Sequence, residues 1–320
     1  MLSIILCMLA GIVAGYFVRQ WKFPWLDSVM LYIIWLLLFE LGLEVGGNQQ
    51  ILRALPTLGL SALEIAVAAM LGSCIAAFGM AKWIGRDMFW KKHIEDTVDR
   101  NTADGNKHHE SPLKGSLIIL AFFIVGCVAG YFGLFDNQTL LKDVSFYTLA
   151  VLIVLVGISI GNNREVLGNL KSMDRRLLLL PIFTIIGTLA ACSLLWGAMG
   201  LAASQHNISD KLSDFLAIGS GQAYYSLSSI LITQSRGIEL GTIALLSNII
   251  RELMTLLTAP LLVKVFGRLA PISAGGATTA DTTLPIIRRV CGDDMAILSV
   301  YHGFAVDFSV PFMVTLFCSL

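Results

Sequence analysis

"GIVAGYF" at residues 11–17 returns as "GCVAGYF" at residues 126–132, six of seven positions identical at a separation of 115 residues. The same separation lays "ELGLEVGGNQQILRAL" (40–55) over "LVGISIGNNREVLGNL" (155–170), matching Gly42, Gly46, Asn48, Leu52 and Leu55 with Gly157, Gly161, Asn163, Leu167 and Leu170. Two ungapped windows at one offset mark an internal duplication. Each copy holds three apolar segments, at about 3–18, 29–45 and 56–81, then at about 116–134, 144–160 and 177–200. A bilayer core asks for about 20 helical residues per crossing, so these segments read as spans. Three is an odd number, so the second copy enters from the opposite face. That is an inverted repeat, the construction of many secondary transporters.

Composition agrees with the spans. Hydrophobic residues make up 56% of the 320 and charged residues 14%, against roughly 25% charged in an ordinary soluble domain, and the mean hydropathy is +0.77. One or two soluble domains are excluded, and membrane lipid is the expected surrounding. The net charge of zero gives no indication of a nucleic-acid partner. The apolar N-terminus has no Lys or Arg ahead of it and no convincing cleavage site, so it reads as a retained span. Five of the six cysteines, Cys7, Cys74, Cys127, Cys192 and Cys318, lie in apolar segments without metal-ligand spacing, and read as small hydrophobes.

Basic residues set the orientation, because cytoplasmic loops carry the excess. With the N-terminus outside, the inner loops hold thirteen Lys and Arg and the outer loops only Arg53, Lys142 and Lys211. Most of the inner charge lies in the polar connector 82–115, whose "KHHE" at 107–110 reads as solvated loop.

After residue 210 the pattern changes. Segments 215–235 and 270–289 are interrupted by Gly219 and Gly221 and by Gly275 and Gly276, and each precedes a stronger span, about 239–263 and 295–318. Placing both interrupted segments as re-entrant hairpins puts four of the five flanking Lys and Arg inside. The expectation is therefore an all-α polytopic membrane protein with about eight transmembrane helices and two re-entrant hairpins, N-terminus and C-terminus outside. Its divisions are a first three-helix repeat (1–115), an inverted second (116–210), and two hairpin-plus-helix units (211–320). A fainter repeat at offset 55 carries Gly221 to Gly276 and Glu252 to Asp307.

Acids at membrane depth cost about 3 kcal/mol or more and are functional candidates by default. Glu252 lies in mid-span and Asp281 beyond the second glycine break; Asp307 ranks third. The structural alternatives are a bond from Glu252 to a neighbouring helix, with Arg251 pairing another acid, and a helix cap at Asp281. Glu40 and Glu44, at i and i+4, fit a wet helix end as well as a site. Polar groups suited to a small ligand stand nearby in sequence: Tyr224, Tyr225, Ser226, Asn248, Thr278 and Thr279. Acids together with helix N-termini suit a ligand with ammonium and carboxylate groups, an amino acid, best a cationic one.

The blocks "GQAYYSLSSILIT", "NIIRELMTLLTAPLL", "GGATTADTTLPII" and "YHGFAVDFSVPF" are similar, in that order, to the bacterial L-lysine exporter family LysO. The resemblance covers most of the chain and is densest from about 217 to 312. It implies export of L-lysine and analogues such as thialysine across the bacterial cytoplasmic (inner) membrane, with both termini outside and two intramembrane acids as the functional pair. Those acids fall on Glu252 and Asp281. No cofactor and no enzymatic activity are expected. A proton is the expected coupling ion, with sodium, ligated by carbonyls of 219–221 and 275–276, as the other candidate. The remaining readings are a sodium-coupled transporter of another small organic solute, a channel, or an intramembrane aspartyl protease, whose Gly-x-Gly-Asp motif is absent. Oligomeric state is left open, a homodimer among the options.

Overall fold

The computed structural model describes residues 2–18, 25–85, 112–133, 138–162, 174–201 and 211–320. The connector around "KHHE" and the second copy's Asn163, Leu167 and Leu170 lie outside the described residues. Among the described residues the structure is helical and contains no strand. The first copy supplies α1 (Leu2–Phe17), α2 (Leu26–Gly47) and α3 (Gln49–Ile84). The second supplies α4 (Pro112–Tyr131), α5 (Gln138–Asn162) and α6 (Leu180–Leu201), the last led in by a 3-10 turn at Arg175–Leu179. Among the described residues four helical stretches are long and apolar enough to cross a bilayer, Ser28–Gly47, Pro56–Ile84, Arg175–Gly200 and Asp293–Ser319. This is a membrane protein. The other expected spans are shorter or carry charge: α1 has 16 residues, and α4 and α5 offer the apolar stretches Ala121–Tyr131 and Asp143–Ser159.

The third segment was expected from about residue 56, yet α3 begins at Gln49. Asn48 ends α2 in an extended conformation and its carbonyl at once accepts the Leu52 N–H. The chain thus turns on one residue, and Pro56 is carried inside the helix.

The two copies pair crosswise: α1 packs on α5, α2 on α4, and α3 on α6. A Cβ at Gly11 would lie 3.1 Å from Gly157 Cα, and one at Gly126 would lie 3.0 Å from Gly42 Cα. These contacts exchange into each other at offset 115. Gly72 and its equivalent Gly187 meet each other: a Cβ on either would fall 2.3 or 2.4 Å from the carbonyl oxygen of the other. Self-reciprocal contact of this kind is what a two-fold relation produces. Helix backbones approach this closely only across small residues.

The remaining chain builds two hairpins. The first is α7 (Leu212–Gly219) and α8 (Tyr225–Arg236), followed by α9 (Ile238–Phe266). The second is α10 (Ala270–Gly275), a 3-10 turn at Gly276–Ala280 and α11 (Leu284–Cys291), followed by α12 (Ala296–Ser319). At about 1.5 Å per residue no arm exceeds roughly 18 Å, well short of a ~30 Å hydrocarbon core. Each hairpin ends where it begins. Arg236, at the end of α8, lies 3.6 Å from Asp214, at the start of α7. Arg268, ahead of α10, donates to the Cys291 carbonyl at the end of α11 and pairs with Asp294. The first foot also binds the far end of α12 through Arg236 and the Cys318 carbonyl, whereas the second adjoins its beginning.

The tips meet, the Ala277 N–H donating to the Gln222 carbonyl at 2.9 Å. These two positions are again equivalent, at offset 55. Separate apolar clusters seat the hairpins along α3. Ile65 and Ala69 pack with Phe215 and Ile218 of the first, and Ala77 and Met80 with Ile272 and Ile287 of the second. The packing is not fully symmetric. α9 lies along much of α3, whereas the equivalent pair, α12 and α6, touches far less.

Candidate functional site

The site forms where α9 passes the returning arm of the second hairpin. Glu252 is buried in the middle of α9. The Thr282 hydroxyl donates to Glu252 Oε1 at 2.6 Å, while the Thr282 backbone N–H donates to Asp281 Oδ1, also at 2.6 Å. The same hydroxyl lies 3.4 Å from Asp281 Oδ1. One residue therefore holds both carboxylates. Asp281 does not cap α11, whose first turn receives no side-chain cap. Glu252 does bond to a neighbouring element, but that element is the hairpin carrying the other acid.

Among the described residues the hydrogen bonds of Arg251 reach no acid. Fully buried, it donates to the carbonyls of Ala274 (2.9 Å) and Ser273 (3.1 Å), and reaches the hydroxyls of Ser73 (3.4 Å) and Thr188 (3.5 Å). It thereby satisfies the last carbonyls of α10 and ties the first arm to α3 and α6. Carbonyls at a helix C-terminus attract a cation.

The sequence-selected groups divide in two. Tyr224, just ahead of α8, lies within electrostatic reach of Asp307 and Asp281, and Tyr225, its first residue, within reach of Glu252 and Asp281. Asp307, on α12, is buried. The others are not brought to the carboxylates by any contact. Asn248 Oδ1 accepts the Ala223 N–H at 2.7 Å, and its Nδ2 donates to the Ala244 carbonyl at 2.8 Å, so its amide braces the first break. Thr278 donates to the Gly275 carbonyl, and Thr279 to that of Gly276. Thr279 Oγ1 also meets His302 Nδ1 at 3.1 Å, and His302 Nε2 meets Thr184 at 2.9 Å. Ser226 is exposed on α8. Glu40 is buried and accepts from Thr148 of α5 at 3.1 Å, but Glu44, one turn on, is exposed.

The hairpin breaks use their glycines for clearance more than for unusual torsions. A Cβ at Gly219 would meet Cys192 Sγ at 2.5 Å and one at Gly221 would meet Asn248 Nδ2 at 2.3 Å. The positive φ angles of the first break fall instead on Gln222 (48°) and Ala223 (67°); in the second, Gly276 takes 59°. Non-glycine residues hold such torsions only when their surroundings fix them. Here Asn248 and the opposite tip do so. The carbonyls of Gly219, Gly221, Gly275 and Gly276 each accept a hydrogen bond from within their own hairpin. Among the described residues no group of three His, Cys, Asp or Glu could hold a metal ion.

Two carboxylates sharing one hydroxyl repel each other in a low-dielectric interior, and a bound cation or proton offsets that cost. The arrangement suits reversible cation binding.

The description "Lysine exporter LysO" belongs to the family that matches residues 5–94 and 120–318. An Escherichia coli (strain K12) protein named "Lysine exporter LysO" is 27% identical over 322 residues, covering 99% of each chain. A Haemophilus influenzae protein named "Putative lysine exporter" is 30% identical over 201 residues, 63% of this chain and 97% of that one. No solved structure matches.

Proposed function

We propose that this chain, which belongs to the lysine exporter LysO family, exports L-lysine and analogues such as thialysine by exchange for protons across the bacterial inner membrane. The observation that carries the reading is Thr282 holding Glu252 and Asp281 at 2.6 Å each, a paired acidic site at the junction of α9 and the second hairpin. Eight spans, α1 to α6, α9 and α12, carry the two hairpins as re-entrant elements from opposite faces. Support comes from the closed feet at opposite ends of α9, the short arms and the meeting tips. The crosswise glycine contacts support an inverted repeat, and the Lys and Arg distribution supports an orientation with both termini outside.

Moving a lysine cation out against an inside-negative potential costs about 2.3 kcal/mol per 100 mV. A proton carried inward in exchange cancels that cost. Glu252 and Asp281 take the cation from the cytoplasmic side, release it outside as one proton replaces it, and return with that proton shared between them. The carbonyls at both breaks already accept hydrogen bonds and would offer sodium only their second lone pairs, which supports a proton as the first candidate. Efflux from lysine-loaded proteoliposomes containing the purified protein tests the reading. Retention equal to that of protein-free vesicles would sink it.

A further inference from the structure

The break that carries Asp281 is gripped by α12. Ser299, His302 and Gly303 stand within little more than one turn of that helix and meet Thr279 and Ala280, the residues immediately ahead of Asp281. The Ser299 hydroxyl donates to the Thr279 carbonyl at 2.9 Å. His302 Nδ1 meets Thr279 Oγ1 at 3.1 Å. A Cβ at Gly303 would lie 2.4 Å from the Ala280 backbone nitrogen and 2.8 Å from Thr279 Oγ1, so the helix backbone itself presses on the break.

His302 is the member of this grip with a partner on each side. The Thr279 hydroxyl donates to the Gly276 carbonyl at 2.8 Å, so its oxygen accepts and Nδ1–H is the donor. On the other side Nε2 lies 2.9 Å from Thr184 Oγ1 of α6, which is 2.8 Å from Ser273 Oγ of α10. His302, Thr279, Thr184 and Ser273 are all fully buried. The two ring nitrogens thus have separate tasks, one toward the break and one toward the surrounding helices.

Placement matters because both carboxylates are held through one residue. Thr282 meets Glu252 Oε1 and Asp281 Oδ1 at 2.6 Å each, and such a site needs its groups set to within about 0.5 Å. Glu252 is placed by the long helix α9. Asp281 instead follows a 3-10 turn, and the last two residues of that turn are Thr279 and Ala280.

We infer that His302 is a positioning residue for cation binding. Through Nδ1 and Thr279 it fixes the break ahead of Asp281, with Ser299 and Gly303 completing the grip; through Nε2 and Thr184 it ties that grip to α6. The inference rests on Glu252 and Asp281 being the cation site. His302 acts through Thr279 and does not meet the ligand.

Side-chain amides separate the two tasks. An asparagine amide reaches the place of Nδ1 and a glutamine amide that of Nε2, so His302→Asn keeps the bond to Thr279 and His302→Gln the bond to Thr184. The measurement is L-lysine affinity of the purified full-length protein in detergent, read from ligand-dependent thermal stabilisation. His302→Asn binds within about threefold of the unaltered protein, whereas His302→Gln and Thr279→Val each bind about tenfold more weakly, the size of one buried hydrogen bond. Combining His302→Gln with Thr279→Val weakens binding no further than either alone, because both remove the same bond. Equal weakening in His302→Asn and His302→Gln is the mark of a residue that only fills or braces the core, and overturns the inference, as does unchanged affinity in His302→Gln. If His302→Gln does not fold, Thr279→Val and Ser299→Ala decide: unchanged affinity in both refutes the grip on the break. An unaltered protein that L-lysine does not stabilise defeats the cation-site reading, and the inference with it.

Discussion

Arg251 and Glu252 are adjacent in sequence yet hold opposite arms of one hairpin: Arg251 donates to Ala274 at the end of α10, and Glu252 accepts from Thr282 ahead of α11. The cation of this dipeptide braces the scaffold, and the anion is the one proposed to meet the ligand.

Replacing Arg251 therefore damages the fold before the chemistry. Arg251→Met leaves the Ser273 and Ala274 carbonyls without their donor, at about 1–3 kcal/mol for each buried acceptor left unsatisfied. The expected outcome is a lower unfolding temperature and less protein in the membrane fraction. Arg251→Lys keeps the charge without the planar fork and falls between. Unaltered thermal stability in Arg251→Met would count against this bracing role.

Glu252→Gln and Asp281→Asn should behave in the opposite way. Each keeps shape while removing a charge, so lysine efflux falls to background while the protein stays folded and in the membrane. Thr282→Val removes a hydroxyl but keeps the backbone donor to Asp281. It should weaken lysine binding by about tenfold, near the upper range for one hydrogen bond, and Thr282→Ser should retain function. Normal efflux from either charge-neutralised variant is the result that refutes the pair.

Coupling can be read from driving forces. An inward proton gradient imposed on lysine-loaded vesicles accelerates efflux, and at one-for-one exchange an imposed potassium diffusion potential leaves the rate unchanged. A sodium gradient that drives efflux where the pH gradient does not would replace the proton with sodium.

Where Gly72 faces Gly187 there is no room for a side chain. Gly72→Val or Gly187→Val forces α3 and α6 apart, with an overpacking cost of about 1–3 kcal/mol. Both should lower the unfolding temperature measured by fluorescence-monitored melting, while Gly79→Ala, in open space by the same geometry, should not.

The duplication at offset 115 was legible because the glycines that identify it are the residues at which the copies touch, so packing and sequence identity coincide. The offset of 55 left fewer traces. Its clearest structural signs are the bond between Gln222 and Ala277 and the matched φ of Gly237 and Gly292, 98° and 100°. A backbone bond leaves no signature in side chains, and glycine would have been expected where Gln222 and Ala223 stand. Glu252 and Asp281 stood out because charge is conspicuous in hydrocarbon. Thr282 did not, since a threonine scarcely changes hydropathy, and only the fold brings it between the acids. Thr279 and Asn248 had the right chemistry in the right stretch, but their hydrogen bonds hold backbone and His302.

The unequal packing of the two halves has a further meaning for a molecule with a two-fold relation built into its chain. α9 lies along α3, but its equivalent α12 touches α6 far less. Exchanging the two roles, so that α12 closes on α6 and α9 withdraws from α3, would give the chain a second shape related to the first by that two-fold relation. The chain thus contains the template of its own opposite, and spectroscopic distances across the α3–α9 and α6–α12 pairs should move in opposite directions during a transport cycle.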